Sequence, residues 1–143
     1  MYSFGRKSKE KLKQLHPDLR HVLELAIQVI DFSIIEGWRS KEAQNRAFDQ
    51  GRSKLRWPKS KHNTKNNKPG EVLAVDIVPY PGGWATTDEN IKKFYFLMGI
   101  IKGIANIEGI KVRFGIDWNS NNVFGDQSFH DLPHIELVGY KRS

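Results

Sequence analysis

Residues 71–80 read EVLAVDIVPY. The run is aliphatic and β-branched, opens after the Pro69-Gly70 break and is closed by Pro79. It therefore reads as a strand. Alternate side chains of a strand share a face, so Ala74, Asp76 and Val78 point one way and Leu73, Val75 and Ile77 the other. Asp76 is the anomaly. A carboxylate in the middle of an apolar strand is costly to bury unless it is paired or bound to a metal. Two readings follow: a metal ligand, or a carboxylate that pairs with an arginine or caps a turn.

The segments before this strand set the class. Residues 52–70, RSKLRWPKSKHNTKNNKPG, are basic, Asn-rich and bounded by Pro and Gly, as a long functional loop would be. Pro17 to Asp31 carries Leu19, Val22, Leu23, Ala26, Ile27 and Ile30 at helical spacing, with Pro17 suited to a first turn. FSIIEGW, Phe32 to Trp38, is a short β-branched and aromatic strand. Ser40 caps a helix over Lys41 to Gln50, which Gly51 ends.

After residue 80, Thr86 and Glu89 stand at capping-box spacing before a helix from about Thr87 to Glu108. Gly109 stops it. IKVRF is a strand, residues 115–130 form a polar loop, and IELVGY is the last strand. Helices come first and strands cluster later. The expectation is an α+β fold: a single domain, residues 1–143, with helices packed on a small, mainly antiparallel sheet.

Composition narrows the chemistry. A chain of 143 residues buries roughly 68–70% of its unfolded surface and needs no staple to fold. The absence of cysteine excludes thiolate zinc sites, disulfides and cysteine nucleophiles. The net charge of +7 favours polyanions such as nucleic acid, anionic lipid head groups or an acidic cell wall. The first twenty residues lack the apolar core of a signal peptide, and no stretch approaches the ~18 apolar residues of a span. The expectation is synthesis in the cytosol without membrane insertion.

Without cysteine, a catalytic metal draws its ligands from His, Asp and Glu. Five histidines are available. His16 and His21 fall in or beside the first helix and read as surface residues. His62 lies in the basic loop. His130 and His134 lie in FHDLPHIEL, residues 129–137. Pro133 forces Leu132 to be extended, so these two histidines do not share a helix face. The loop instead delivers Asp131, and a strand begins at His134. Its alternation puts His134 and Glu136 on one face, with Ile135 and Leu137 on the core face. His130 reads as an exposed loop residue.

Three ordered pieces, Ser60-x-His62, Ala74-x-Asp76 and Asp131-x-x-His134, resemble the zinc D-alanyl-D-alanine carboxypeptidase family. That family includes phage-endolysin-type L-alanyl-D-glutamate endopeptidases and D-Ala-D-Ala dipeptidases. EGWRSKEAQNRAFDQGRSK, RFGIDWN and LPHIEL extend the likeness over about Leu19 to Tyr140. The resemblance implies a hedgehog/DD-peptidase-like fold. It also implies that His62, Asp76 and His134 hold Zn2+, that Asp131 is the general base, and that Arg39 stabilises the substrate. Ser60, Trp84 and Trp118 are the implied substrate contacts. The tryptophans Trp57, Trp84 and Trp118 stand in three loops around the site, where each either lines the groove or anchors its loop. One departure is clear: His62 and Asp76 are fourteen positions apart, and Val72 stands where the family carries Gly.

The favoured expectation is a zinc peptidase acting on the stem peptide of bacterial peptidoglycan. The small size and the Phe-Gly-then-helix opening resemble the endopeptidase type, which implies the L-Ala–D-Glu bond. Such an enzyme is expected to be monomeric, made in the host cytoplasm and released to the wall. The alternatives are a D-Ala-D-Ala carboxypeptidase or dipeptidase with the same metal centre, and a basic nucleic-acid-binding module. The last leaves Asp76 and the Asp131/His134 spacing unexplained, and no nucleic-acid-binding motif is present.

Overall fold

The computed structural model describes residues 1–142. In chain order the elements are α1 (Arg6–Leu12), α2 (Pro17–Ala26), β1 (Phe32–Glu36), α3 (Lys41–Asp49), β2 (Ala74–Pro79), α4 (Asp88–Ile107), β3 (Val112–Phe114) and β4 (His134–Leu137). The strands form one antiparallel sheet in the order β1-β2-β4-β3. The α+β expectation holds. The EVLAVDIVPY run supplies β2, an inner strand.

One face of the sheet is the core face. Val75, Ile77, Ile135 and Leu137 are fully buried. The core continues into α4, which packs on β2 and β3, and into α2, which packs on α4. Phe94, Leu97, Met98, Ile101 and Ala105 form the buried stripe of α4. Each large side chain buried this way contributes about 2 kcal/mol. The other face of β2 and β4 carries Asp76, His134 and Glu136.

Helix ends follow local chemistry, with some shifts from expectation. Ser40 caps α3 as expected, its Oγ accepting from the Ala43 N–H at 3.1 Å. The cap of α4 is Thr87 rather than Thr86. Its Oγ1 accepts from the Asn90 N–H at 3.2 Å, and Asp88 and Glu89 favour the helix dipole. α2 ends at Ala26, because the chain loosens into turns before β1. His16 caps α2 through Nδ1, which accepts from the Asp18 N–H at 3.1 Å.

The expected strand over 71–80 is regular only from Ala74. Val72 instead pairs with Leu15 in an isolated parallel bridge and is fully buried. It belongs to the core. The long segment between His62 and β2 is a closed excursion, tied at its neck by the Leu73 N–H donating to Lys61 O at 3.2 Å. Thr64 Oγ1 and the Lys68 backbone brace it internally. The extra residues therefore leave His62 and β2 side by side.

Candidate metal centre

Strand register assembles the centre. Asp76 pairs with His134 across β2 and β4, and Glu36 pairs with Asp76 across β1 and β2. One row thus crosses three strands. A register irregularity between Ile34 and Glu36 lets β1 bend at this row. His62 joins from the basic loop, and Arg39 N donates to its carbonyl at 2.8 Å.

His62 Nε2 lies 3.3 Å from Asp76 Oδ1, and His134 Nδ1 lies 3.3 Å from the same oxygen. His62, Asp76 and His134 each offer one ligand atom, and the three atoms lie within 4.8 Å of one another. His62 is 2% exposed and His134 7%. Despite these short distances, His62 Nε2 and Asp76 Oδ1 have no hydrogen-bond partner. Buried polar atoms are seldom left unsatisfied. Here they converge on a common point without bonding each other, which is the geometry a shared cation requires.

The opposite edge of each imidazole is fixed. His62 Nδ1 lies 2.8 Å from Gly37 O. A carbonyl only accepts, so Nδ1 carries the proton and Nε2 keeps its lone pair. His134 Nε2 lies 2.8 Å from Glu136 Oε1. Glu136 is in turn held by Lys61 Nζ at 3.0 Å and Arg113 Nη2 at 2.7 Å. Ionised Glu136 accepts from Nε2–H and leaves Nδ1 for a metal. The two histidines therefore face the common point with different nitrogens, each set by its outer partner.

Asp131 sits beside this trio, its Oδ2 3.9 Å from His134 Nδ1. Its loop is tied to the end of β3 at Gly115. Asp131 N–H donates to Gly115 O at 3.0 Å, Gly115 N–H to His134 O at 2.9 Å, and His134 N–H to Asp131 O at 3.1 Å. A Cβ on Gly115 would lie 2.1 Å from Asp131 O, so only glycine fits.

The phage L-alanyl-D-glutamate peptidase family matches residues 1–138 of the chain. The chain belongs to this family. It is 32% identical over 143 residues to the L-alanyl-D-glutamate peptidase of Escherichia phage T5, covering 96% of this chain and 98% of that one. It also resembles the crystal structure of the Serratia marcescens L-Ala D-Glu endopeptidase ChiX. That likeness has a TM-score of 0.69 and 27% identity, over 95% of this chain and 90% of the other. The protein is a peptidoglycan-cleaving peptidase with a single-domain α+β fold. The carboxypeptidase and nucleic-acid alternatives give way to it.

The electrostatics of the peptidase centre suit a cation. Burial works against charge on Asp76, yet the facing His62 and His134 hold its carboxyl well below the usual range. Burial also opposes charge on His134, but its contacts with Asp76 and Glu136 outweigh this and push it up to about 9. Glu136, despite burial, is brought down to about 2 by His134, Lys61 and Arg113. Asp131 moves the other way: burial and repulsion from Asp76 raise it.

A cleft of about 490 Å³ opens over these residues. Arg39 lines it, but its fork is already engaged. Nε and Nη2 hold Glu36 at 3.1 and 2.7 Å, and Nη1 holds Gln44 Oε1 at 2.8 Å. Nη2 also lies 3.8 Å from Asp76 Oδ2. Ser60 lines the cleft as well, though it is only 5% exposed and its Oγ accepts from the His62 N–H at 3.2 Å. Trp84 and Trp118 both face the cleft. Trp84 is largely exposed, whereas Trp118 is anchored by Nε1–H donating to Phe129 O at 2.9 Å. Trp57 does not line the cleft. Its N–H bonds Asn45 on α3, so it anchors its loop.

His130, expected to be exposed, is partly buried, with an unpartnered Nδ1, and lies outside the trio. His21 pairs with Glu108 on the surface. Sequence reading missed Glu36, Gln44 and Gly115. Glu36 follows a register irregularity that no spacing announces, and Gln44 looks like any polar residue of an amphipathic helix. Glu136 was placed on the His134 face by alternation alone.

Proposed function

We propose that the protein is a zinc-dependent endopeptidase that hydrolyses the L-alanyl–D-glutamate bond of peptidoglycan stem peptides. The supporting observation is the convergence of His62 Nε2, Asp76 Oδ1 and His134 Nδ1, two of them buried without a partner. Two imidazoles and one carboxylate are the donor set of a catalytic zinc site, with a position left for water. Zinc held there supplies a Lewis acid and lowers the pKa of water to about 7.

The chain's own residues supply the rest. Asp131, raised by burial, is suited to take a proton from the attacking water and to pass it to the amine that leaves. Arg39 acts mainly by holding Glu36 and bracing the Asp76 side of the row. Arg39 also lines the cleft, where its remaining N–H groups would stabilise negative charge developing on the scissile oxygen. Ser60 shapes the turn that presents His62. Trp84 and Trp118 flank the bound peptide.

The physiological partner is bacterial peptidoglycan, an acidic polymer matched to the basic chain. No helix among the described residues is long and apolar enough to cross a membrane. Production in the host cytoplasm, release to the wall and action as a monomer complete the reading.

Digestion of purified sacculi, followed by labelling of new amino groups, tests it. New amines are expected on D-glutamate, abolished by a chelator and restored by one equivalent of Zn2+. New amines confined to D-alanine would instead identify a carboxypeptidase or dipeptidase.

A further inference from the structure

The cleft is charged unevenly. Asp76 belongs to the trio, and two more acids, Glu36 and Asp131, stand beside it. Arg39 is committed to Glu36. Arg52 has turned its Nε to Gln50 Oε1 at 2.9 Å. Lys54 differs. Among the described residues it has no carboxylate partner, and its Nζ rests 5.1 Å from the centroid of the Phe129 ring. Phe129 stacks on Trp118 at 6.2 Å and 8°, and Trp118 lies 5.4 Å from His134. An aromatic wall thus runs from the metal ligands to one ammonium group. A ring face holds a cation in place without neutralising it.

The scissile bond is equally lopsided. It joins the alanine carbonyl to the glutamate amine. D-Glutamate has two carboxyl groups and passes the chain on through one at most, so a free carboxylate lies a few bonds from the leaving nitrogen. Alanine brings only a methyl group. A peptide entering the cleft must keep this anion off the metal trio and away from Asp131, so the anion needs an unpaired cationic partner elsewhere in the cleft.

We propose that Lys54 receives a stem-peptide carboxylate on the D-glutamate side of the scissile bond, and thereby sets the direction in which the peptide lies. The inference rests on the peptidase reading above. Residues on the D-glutamate side run along Phe129 towards Lys54, and the alanine side runs the opposite way.

Three synthetic stem peptides test this with the zinc-loaded full-length protein. One has both carboxylates free, one carries the D-glutamate carboxylate as an amide, and one carries the next residue's carboxylate as an amide. Wild type is expected to favour the free acid over one of the amides by roughly fivefold to tenfold in kcat/KM, mainly through KM. The amide that is disfavoured identifies which carboxylate is bound. Lys54→Met should bring that ratio close to one, Lys54→Arg should restore most of it, and Arg52→Met should keep it. Equal losses on acid and amide in Lys54→Met, or loss of the preference in Arg52→Met instead, would overturn the assignment. Failure of wild type to cut both the peptides and purified walls would remove the peptidase reading itself.

Discussion

Asp131 and Glu136 both lie within two or three residues of His134, yet they meet it in different ways, and the proposed mechanism gives them different tasks. Asp131 faces the ligand trio from the side and binds none of its hydrogen-bonding edges. Asp131→Asn should therefore keep about one zinc per chain while turnover falls on the order of 10²- to 10⁴-fold. Metal analysis beside a wall-lysis assay checks both halves, and full lytic activity in this variant would sink the base assignment. Glu136 sits behind the ring and holds the Nε2 proton, so that Nδ1 is the nitrogen left to a metal. Glu136→Ala should weaken zinc affinity by about 10- to 100-fold, read by competition with a chelating dye. The two residues were unequally legible. Asp131 stands in a motif, and Glu136 follows from strand alternation. Glu36 was invisible because its partner is chosen by a register forty residues away. Ser60 was visible as a motif residue, but its Oγ hydrogen bond is to the His62 backbone.

Elements matter here through how they end. β1 bends at the Ile34/Glu36 irregularity and brings Glu36 and Arg39 over Asp76. β3 ends at Phe114, and Gly115 then lets the Asp131 loop press against it. The glycine is required for space rather than for an unusual φ. Gly115→Ala should cost about 1–3 kcal/mol of stability through overpacking. It should also lower activity about 100-fold, because the loop carrying Asp131 must shift by an ångström or more. Gly125→Ala, where nothing lies within 4 Å, should leave both nearly unchanged. Thermal unfolding and wall lysis on the pair separate the two cases. If Gly115→Ala matched Gly125→Ala, the loop would not be held where the structure puts it. The strands and three helices were legible from periodicity and caps. α1 was legible only through the resemblance of the Phe-Gly-then-helix opening and not from periodicity, because RKSKEKL is almost wholly polar and its buried position is a serine, Ser8, whose Oγ accepts from Ile34 N–H at 3.0 Å.

At the scale of the whole molecule, the centre joins a loop, an inner strand and the start of β4, so metal and fold must be thermodynamically linked. At zinc concentrations about 1,000-fold above Kd, binding adds about 4 kcal/mol. For a domain of this size that raises Tm on the order of 10 °C. The size of the gap should depend on pH, and His134 sets the sign. In the metal-free protein His134 is pushed up to about 9, against about 6.5 in the unfolded chain. A raised value stabilises the fold fully below pH 6.5, and that contribution is lost as pH climbs towards 9. Metal binding needs the same Nδ1 without its proton, so zinc must expel that proton throughout this window. Asp76, held low, stays ionised there and does not contribute to the slope. Metal-free Tm should therefore fall from pH 6.5 to 9, while zinc affinity rises and the gap between the zinc-loaded and chelator-treated protein widens. Calorimetry at pH 7 in buffers of different ionisation enthalpy should register at least about one proton released per zinc, the one from His134, with any further release coming from the bound water. A gap that stays constant with pH, together with no proton release, would mean that His134 does not share the common point with Asp76 and His62.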